Sequence, residues 1–233
     1  MIALNQLAEF LDQFFAIHRF SDAERGGVYQ ASNRAIARLG LALEPWSELP
    51  QWVQTEQLDA LLLHRPWHLQ LDQLPPDIGV ISYHLAFDEH LTLSFNPRLA
   101  EVLRIEHLSV LGEKEGRAIG MLGEISPQSF ACYSEFVKEV FGGQDEAHPG
   151  ISDEVHRVAV VGAMTDTLVR EAGLRGADLY ITGQLRQPAR KALLETGIGL
   201  IIVGHRRSEE WGLRALAGVV RERWSQLEVI LPP

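Results

Sequence analysis

The alternation of apolar and polar positions along the chain predicts an α/β protein. In the second half, HRVAVVG (156–162), ADLYITG (177–183) and IGLIIVG (198–204) are brief runs, apolar on both faces and closed by glycine, and they read as strands. TDTLVREAGLRG and QPARKALLETG, between them, have helical spacing. Gly176 stands near the end of the first, Pro188 falls in the first turn of the second, and Gly197 marks its stop. SEEWGLRALAGVVRERW follows as a helix with Ser208 as its N-cap, and LEVILPP as a last strand. Strands of this kind alternating with helices imply a mainly parallel sheet covered by helices.

The first half is less regular. MIALNQLAEFLDQFF reads as an amphipathic helix, and NPRLAEVLRI (96–105) as another. LDALLLH (58–64) and IGVISYHLAFD (78–88) read as strands that end at polar side chains, and LSVLGEKEGRAIGML (108–122) as a hairpin turning between Gly112 and Gly116. Ser126 is placed to cap a helix with Pro127 at its first position and an apolar stripe of Phe130, Tyr133, Val137, Val140 and Phe141. Cys132, inside that pattern, is expected to be a buried, inert thiol. GGQDEAHPGISDE (142–154) reads as a linker. The expectation is two α/β lobes with mainly parallel or mixed sheets covered by helices, an N-terminal one over residues 1–105 and a C-terminal one over 106–233.

Composition narrows the functional classes. With 233 residues, 46% hydrophobic and 22% charged, the chain has the make-up of a globular protein able to bury a real core. A formal charge of −10 argues against a broad nucleic-acid or anionic-membrane surface. The N-terminus carries acids and no early Lys or Arg, unlike a signal peptide, and no apolar run approaches the ~20 residues of a membrane span, so a cytoplasmic protein is expected. Cys132 is the one cysteine, which excludes an intrachain disulfide and restricts any metal site to nitrogen and oxygen ligands.

Candidate chemistry collects at three strand ends. LLLHRP gives His64, SYHLAFD gives His84 and Asp88, and IIVGHRRSE gives His205 and Glu209. Ligands and catalytic groups gather at the carboxyl ends of strands in open α/β sheets, and imidazole with carboxylate suits Zn, Mn, Fe or Ni. Each element also has an ordinary role. Asp88 can start a turn, and Glu209 can favour a helix N-terminus through the dipole. Arg65, Arg186, Arg206 and Arg207, at the same ends, can hold a phosphate or another planar anion, or simply face solvent. VAVVGAMTDTLV has strand–loop–helix form but lacks Gly-x-Gly-x-x-Gly spacing, and reads as an ordinary βα unit.

Tyr83–His84–Leu85–Ala86–Phe87–Asp88, Tyr180–Ile181–Thr182–Gly183–Gln184 and Gly204–His205–Arg206–Arg207–Ser208–Glu209, in this order, resemble motifs of the GTP cyclohydrolase 1 type 2 homologues, the Ngg-interacting-factor-three-like proteins. His64–Arg65–Pro66 sits where that family has His-His-Pro. The resemblance implies two α/β lobes, a two-metal site in the cleft between them, and often a ring-shaped hexamer. It places His64, Asp88, His205 and Glu209 at metal-ligand positions, Glu209 bridging both ions, and His84 near the metals.

The chain also departs from the family pattern. Arg65 replaces the second histidine, Gln184 the acid after Thr-Gly, Pro188 a further histidine, and VGAMTDT a glycine-rich turn. Arginine has no lone pair to donate. Held about 5 Å from a divalent ion at an effective dielectric of about 20, it would repel the ion by an amount on the order of 6 kcal/mol. The expectation is therefore a partly degraded site with about one divalent transition metal ion or fewer per chain. Arg65, His84 and Arg206 become candidates for substrate or anion binding. Two functions follow. One is a metal-dependent hydrolase of a nucleotide or other anionic small molecule. The other is a non-catalytic oligomeric binding or scaffold protein that has lost one or both metals.

Overall fold

The computed structural model describes residues 1–162 and 164–233. By contacts the chain divides into two units, Met1–Phe87 with Gly212–Pro233, and Asp88–Trp211. Both are sheets flanked by helices, a mixed α/β architecture as the apolar pattern predicts.

The first unit contains α1 (Leu4–Phe14), β1 (Gly27–Gln30), β2 (Arg38–Ala42), α2 (Leu49–Thr55), β3 (Ala60–Leu63) and β4 (Gly79–Ser82). Its sheet runs in the order β1, β4, β3, β2 and then the strand Glu228–Ile230 near the chain's C-terminus. That strand, β2, β3 and β4 are mutually parallel, and β1 is antiparallel to β4. The leucine run of β3 is buried at every position because both of its faces are covered. Leu61 and Leu63 join Trp52, Val53, Leu58 and Val80 in one core cluster. α1 buries Leu4, Leu7, Ala8 and Leu11, the stripe that its spacing predicts. The register Leu63↔Ser82 brings the ends of β3 and β4 level, which positions the site.

α3 (Leu85–Leu91) carries the chain from the first unit into the second. The second unit continues with α4 (Pro97–Val102), capped by the Asn96 side chain accepting from Leu99 N, then β5 (Glu106–Val110), β6 (Glu113–Lys114), β7 (Arg117–Ala118) and β8 (Gly120–Ser129). After these come α5 (Phe130–Phe141), β9 (Glu146–His148), β10 (Glu154–Val161), α6 (Asp166–Leu174), β11 (Leu179–Thr182), α7 (Gln187–Thr196) and β12 (Gly199–Ile202). α8 (His205–Arg223) then leads to β13, the Glu228–Ile230 strand of the first unit. The second sheet has the order β5-β8-β10-β11-β12-β9, with β10, β11 and β12 parallel and the outer strands antiparallel. Leu168, Val169 and Ala172 of α6 and Ala189 and Ala192 of α7 cover it around the buried Tyr180.

By contacts the division falls at Phe87/Asp88, with Gly212–Pro233 in the first unit, and the strand in LEVILPP pairs in parallel with β2. Four local expectations are corrected. The linker reading of 142–154 fails because Glu146–His148 pairs with β12 as an edge strand. Ser126 and Pro127 lie in β8, at an irregularity in its pairing with β10 where proline's missing N–H is tolerated, and Ser129 caps α5 by accepting from Cys132 N. Cys132 is exposed, off the stripe formed by Phe130, Tyr133, Val137 and Phe141. Ser208 is not a cap; α8 starts at His205, and the Ser208 hydroxyl donates to the His205 carbonyl. In VGAMTDT, Ala163 lies outside the described residues.

Leu62, fully buried in β3, and Leu194, exposed on α7, make a matched test of where the core lies. Leu62→Ala should lower unfolding stability by about 2–5 kcal/mol, and Leu194→Ala by no more than about 0.5 kcal/mol. Urea unfolding followed by circular dichroism measures both, and equal losses would contradict the assignment.

Candidate functional site

His64 follows the last residue of β3 and is completely buried. Its backbone N–H donates to the Ala42 carbonyl at the end of β2, and its carbonyl accepts from the Ser82 hydroxyl. Ring atom Nδ1 lies 3.1 Å from the carbonyl oxygen of Tyr83. A carbonyl only accepts, so Nδ1 carries the proton and the lone pair of the neutral ring is on Nε2, the state in which a histidine ligates a metal.

Tyr83 is itself held. Its hydroxyl donates to Asp12 Oδ1 at 2.5 Å and lies 3.3 Å from the Ala8 carbonyl, both on α1. Burial first, then the hydrogen bond and negative charge of Asp12, push the phenol far above its ordinary pKa, so it stays a donor at neutral pH.

The strand reading of 78–88 is corrected here: β4 stops at Ser82, and Asp88 lies on α3, one helical turn beyond His84. That turn brings both side chains back towards the end of β3. Single ligand atoms of His64, His84 and Asp88 all lie within 4.8 Å of one another, close enough for one ion. His64 is buried, Asp88 partly buried and His84 exposed. The His84 ring stands 4.9 Å from that of His64, and Phe87 packs 4.6 Å from His64 on another side. The donor set of two imidazoles and a carboxylate, with the tautomer of His64 fixed, fits a divalent transition metal.

His205 and Glu209 lie on the first turns of α8 in the second unit. Their side chains pair at 3.0 Å, His205 exposed and Glu209 only 1% exposed. Gly204 introduces the turn with φ of +94°, where any Cβ would press on Arg207 and Asp145. The other members of the resemblance are also placed: Thr182 is buried, its hydroxyl 3.4 Å from the Gly162 carbonyl, and Gln184 is exposed.

Three of the four arginines at strand ends have acidic neighbours. Arg65 Nε lies 3.5 Å from Glu44 Oε2, and its guanidinium stands 5.9 Å from the Trp67 ring. Arg206 pairs with Glu210, and Arg207 with Asp145. Arg186 is exposed at the start of α7.

A family model, Duf34/NIF3 (NGG1p interacting factor 3), matches residues 68–232. The chain belongs to the Duf34/NIF3 family. The matched segment starts after His64 and contains His84, Asp88, His205 and Glu209. A Deinococcus radiodurans protein named GTP cyclohydrolase 1 type 2 homolog is 24% identical over 240 residues, which span 96% of this chain and 90% of that protein. Among solved structures, the protein ybgI, of unknown function, shares the fold at a TM-score of 0.77 and 20% identity, over 99% of this chain and 98% of the other. The Bacillus cereus protein related to NIF3 does so at 0.74 and 12% identity, over 98% and 96%. At these identities the two structures establish the NIF3 fold and nothing about chemistry. No helix among the described residues is long and apolar enough to cross a membrane.

Asp12 and Glu44 were not among the candidate residues. Nothing in the sequence marks them, because each acts through a fold contact: Asp12 through the Tyr83 hydroxyl, Glu44 through its approach to Arg65. Tyr83→Phe removes the donor from the half-buried Asp12 and should cost about 1–3 kcal/mol. Urea unfolding reads that loss; an unchanged midpoint would mean that the α1 contact does not hold the end of β4.

Proposed function

We propose that this NIF3-family chain binds a divalent transition metal, Zn, Mn, Fe or Ni, through His64 Nε2, His84 and Asp88, and works as a hydrolase of a nucleotide or other anionic small molecule. The observation that carries the metal reading is the approach of three ligand atoms within 4.8 Å. His205 and Glu209 are proposed as further ligands on the strength of the family motif. Glu209 has the burial of a ligand carboxylate, and its 3.0 Å partner His205 holds it in place. A bound divalent ion supplies Lewis acidity, polarising substrate oxygen and lowering the pKa of water. The chain's own residues do the rest: His64 keeps its proton on Nδ1, and Asp88 or Glu209 orients the attacking water. The name of the Deinococcus relative points to GTP as the nucleotide.

Arg65 limits the occupancy. Glu44 offsets part of its charge, but a guanidinium still stands where the family has a second imidazole. The proposal is therefore about one ion or fewer per chain, in a cytoplasmic protein that self-associates, as a hexamer by family resemblance.

A second reading, a non-catalytic oligomeric scaffold, is favoured by one observation. Ile151 and Leu194, 92% and 82% exposed, line a single groove of about 430 Å³ beside the edge strand β9. Apolar side chains so placed suit contact with another protein surface.

Elemental analysis of purified chain should find about one transition-metal ion or fewer, and two tightly held ions would contradict the role given to Arg65. His64→Ala should lower metal affinity by at least ~ten-fold, the lower end of what even outer-shell changes cost; retained metal would remove His64 from the site. Arg65→His should raise the content towards about two ions per chain, the family's number, if the guanidinium is what excludes the second. Unchanged content would show that it is not.

A further inference from the structure

A cavity of about 450 Å³ opens beside His84, lined entirely by residues of the first unit. Its walls hold an unusual concentration of exposed large apolar side chains: Trp67 is 57% exposed, Tyr29 49% and Val28 43%. Aromatic faces left in water at the rim of one cavity mark a binding surface more strongly than the same residues scattered singly. Trp67 is also held in position. Its ring meets the His84 ring edge to face at 5.1 Å, and the Arg65 guanidinium lies 5.9 Å from its centroid.

The floor is built by close backbone approach. A Cβ at Gly26 would collide with the Ser82 carbonyl and press on Tyr83, so glycine lets the start of β1 close against the end of β4. The position where Gly27 would carry a Cβ has no heavy atom within 4 Å, which leaves the space above it open. The lining has one charged group, the Glu24 carboxylate, steadied by the Ser21 hydroxyl at 2.9 Å, and it includes no lysine or arginine among the described residues. Such a lining disfavours a phosphate and favours a neutral ring that offers N–H donors. The volume is in the range of small-molecule sites, ~300–1,000 Å³.

We propose that this cavity is a subsite for a planar nitrogen heterocycle, stacked on Trp67 and donating an N–H to Glu24, with its other edge presented to His84. The subsite rests on the metal reading only for the identity of the reacting centre beyond His84; ring binding itself needs no metal.

The test uses full-length chain stripped of metal by chelator, titrated with three probes by ligand-observed NMR. Adenine is planar with N–H donors, benzoate is planar and anionic, and cyclohexylamine is cationic and not planar. Adenine should bind about ten-fold more tightly than cyclohexylamine, through stacking on Trp67, and more tightly than benzoate, whose carboxylate meets Glu24 without an N–H to donate. Trp67→Ala should erase the preference over cyclohexylamine, while Trp67→Phe keeps a stacking face and should retain most of it. Equal binding of the three probes, or an unchanged adenine affinity in Trp67→Ala, overturns the subsite. So does a change of oligomer mass in Trp67→Ala with adenine affinity unaffected, since a second copy of the chain would then cover the cavity. Adenine preference in a chain that never takes up metal would support the subsite and contradict the metal reading alone. Metal uptake without adenine preference would do the reverse.

Discussion

The hydrogen bond from His64 Nδ1 to the Tyr83 carbonyl is the contact on which the site depends. It exists because β3 and β4 are parallel and in register at Leu63↔Ser82, which sets the residues just beyond them side by side. The same contact fixes the proton on Nδ1 and leaves Nε2 as a donor of electrons. The Tyr83 side chain ties this end of β4 to α1 through Asp12, so the N-terminal helix bears on the orientation of a ring many residues away in sequence. Burial of the surrounding strands supplies the rigidity; β3 and β4 have no exposed position.

Arg65, next to His64 in the chain, has an acidic and an aromatic neighbour that offset part of its charge. Arg65 follows His64 and approaches Glu44, and its guanidinium also lies by the ring of Trp67. A cation so engaged is partly neutralised. The geometry thus joins three features that look separate in the sequence: a buried histidine, the arginine that follows it, and an exposed tryptophan at the edge of a cavity.

The repeating strands and helices from 156 to 204 were legible because a parallel sheet covered on both faces writes itself as short, wholly apolar runs closed by glycine. Boundaries set by long-range pairing were not. Nothing local shows that Glu228–Ile230 crosses back to β2, or that Glu146–His148 is an edge strand, since both depend on partners elsewhere in the fold. Pro127 looked like a helix start because proline suits that position and an irregular point in a strand equally well. At the site, the family resemblance puts His64, Asp88, His205 and Glu209 at ligand positions and His84 near the metals; the structure brings single ligand atoms of His64, His84 and Asp88 together. The segment to residue 88 reads as a strand, whereas β4 ends at Ser82. The turn of α3 is what returns Asp88 to the same side as His84. His205 and Glu209 are a closely spaced pair on α8, as their four-residue separation implies.

The proposed ion lies at the end of β3 together with the start of α3. The most direct measurement is an anomalous difference map from crystals of the metal-loaded chain, collected at the absorption edge of the bound element. A peak is expected about 2.0–2.2 Å from His64 Nε2, with His84 and Asp88 as further ligands. A peak on Nδ1, or an ion ligated without His64, would contradict it.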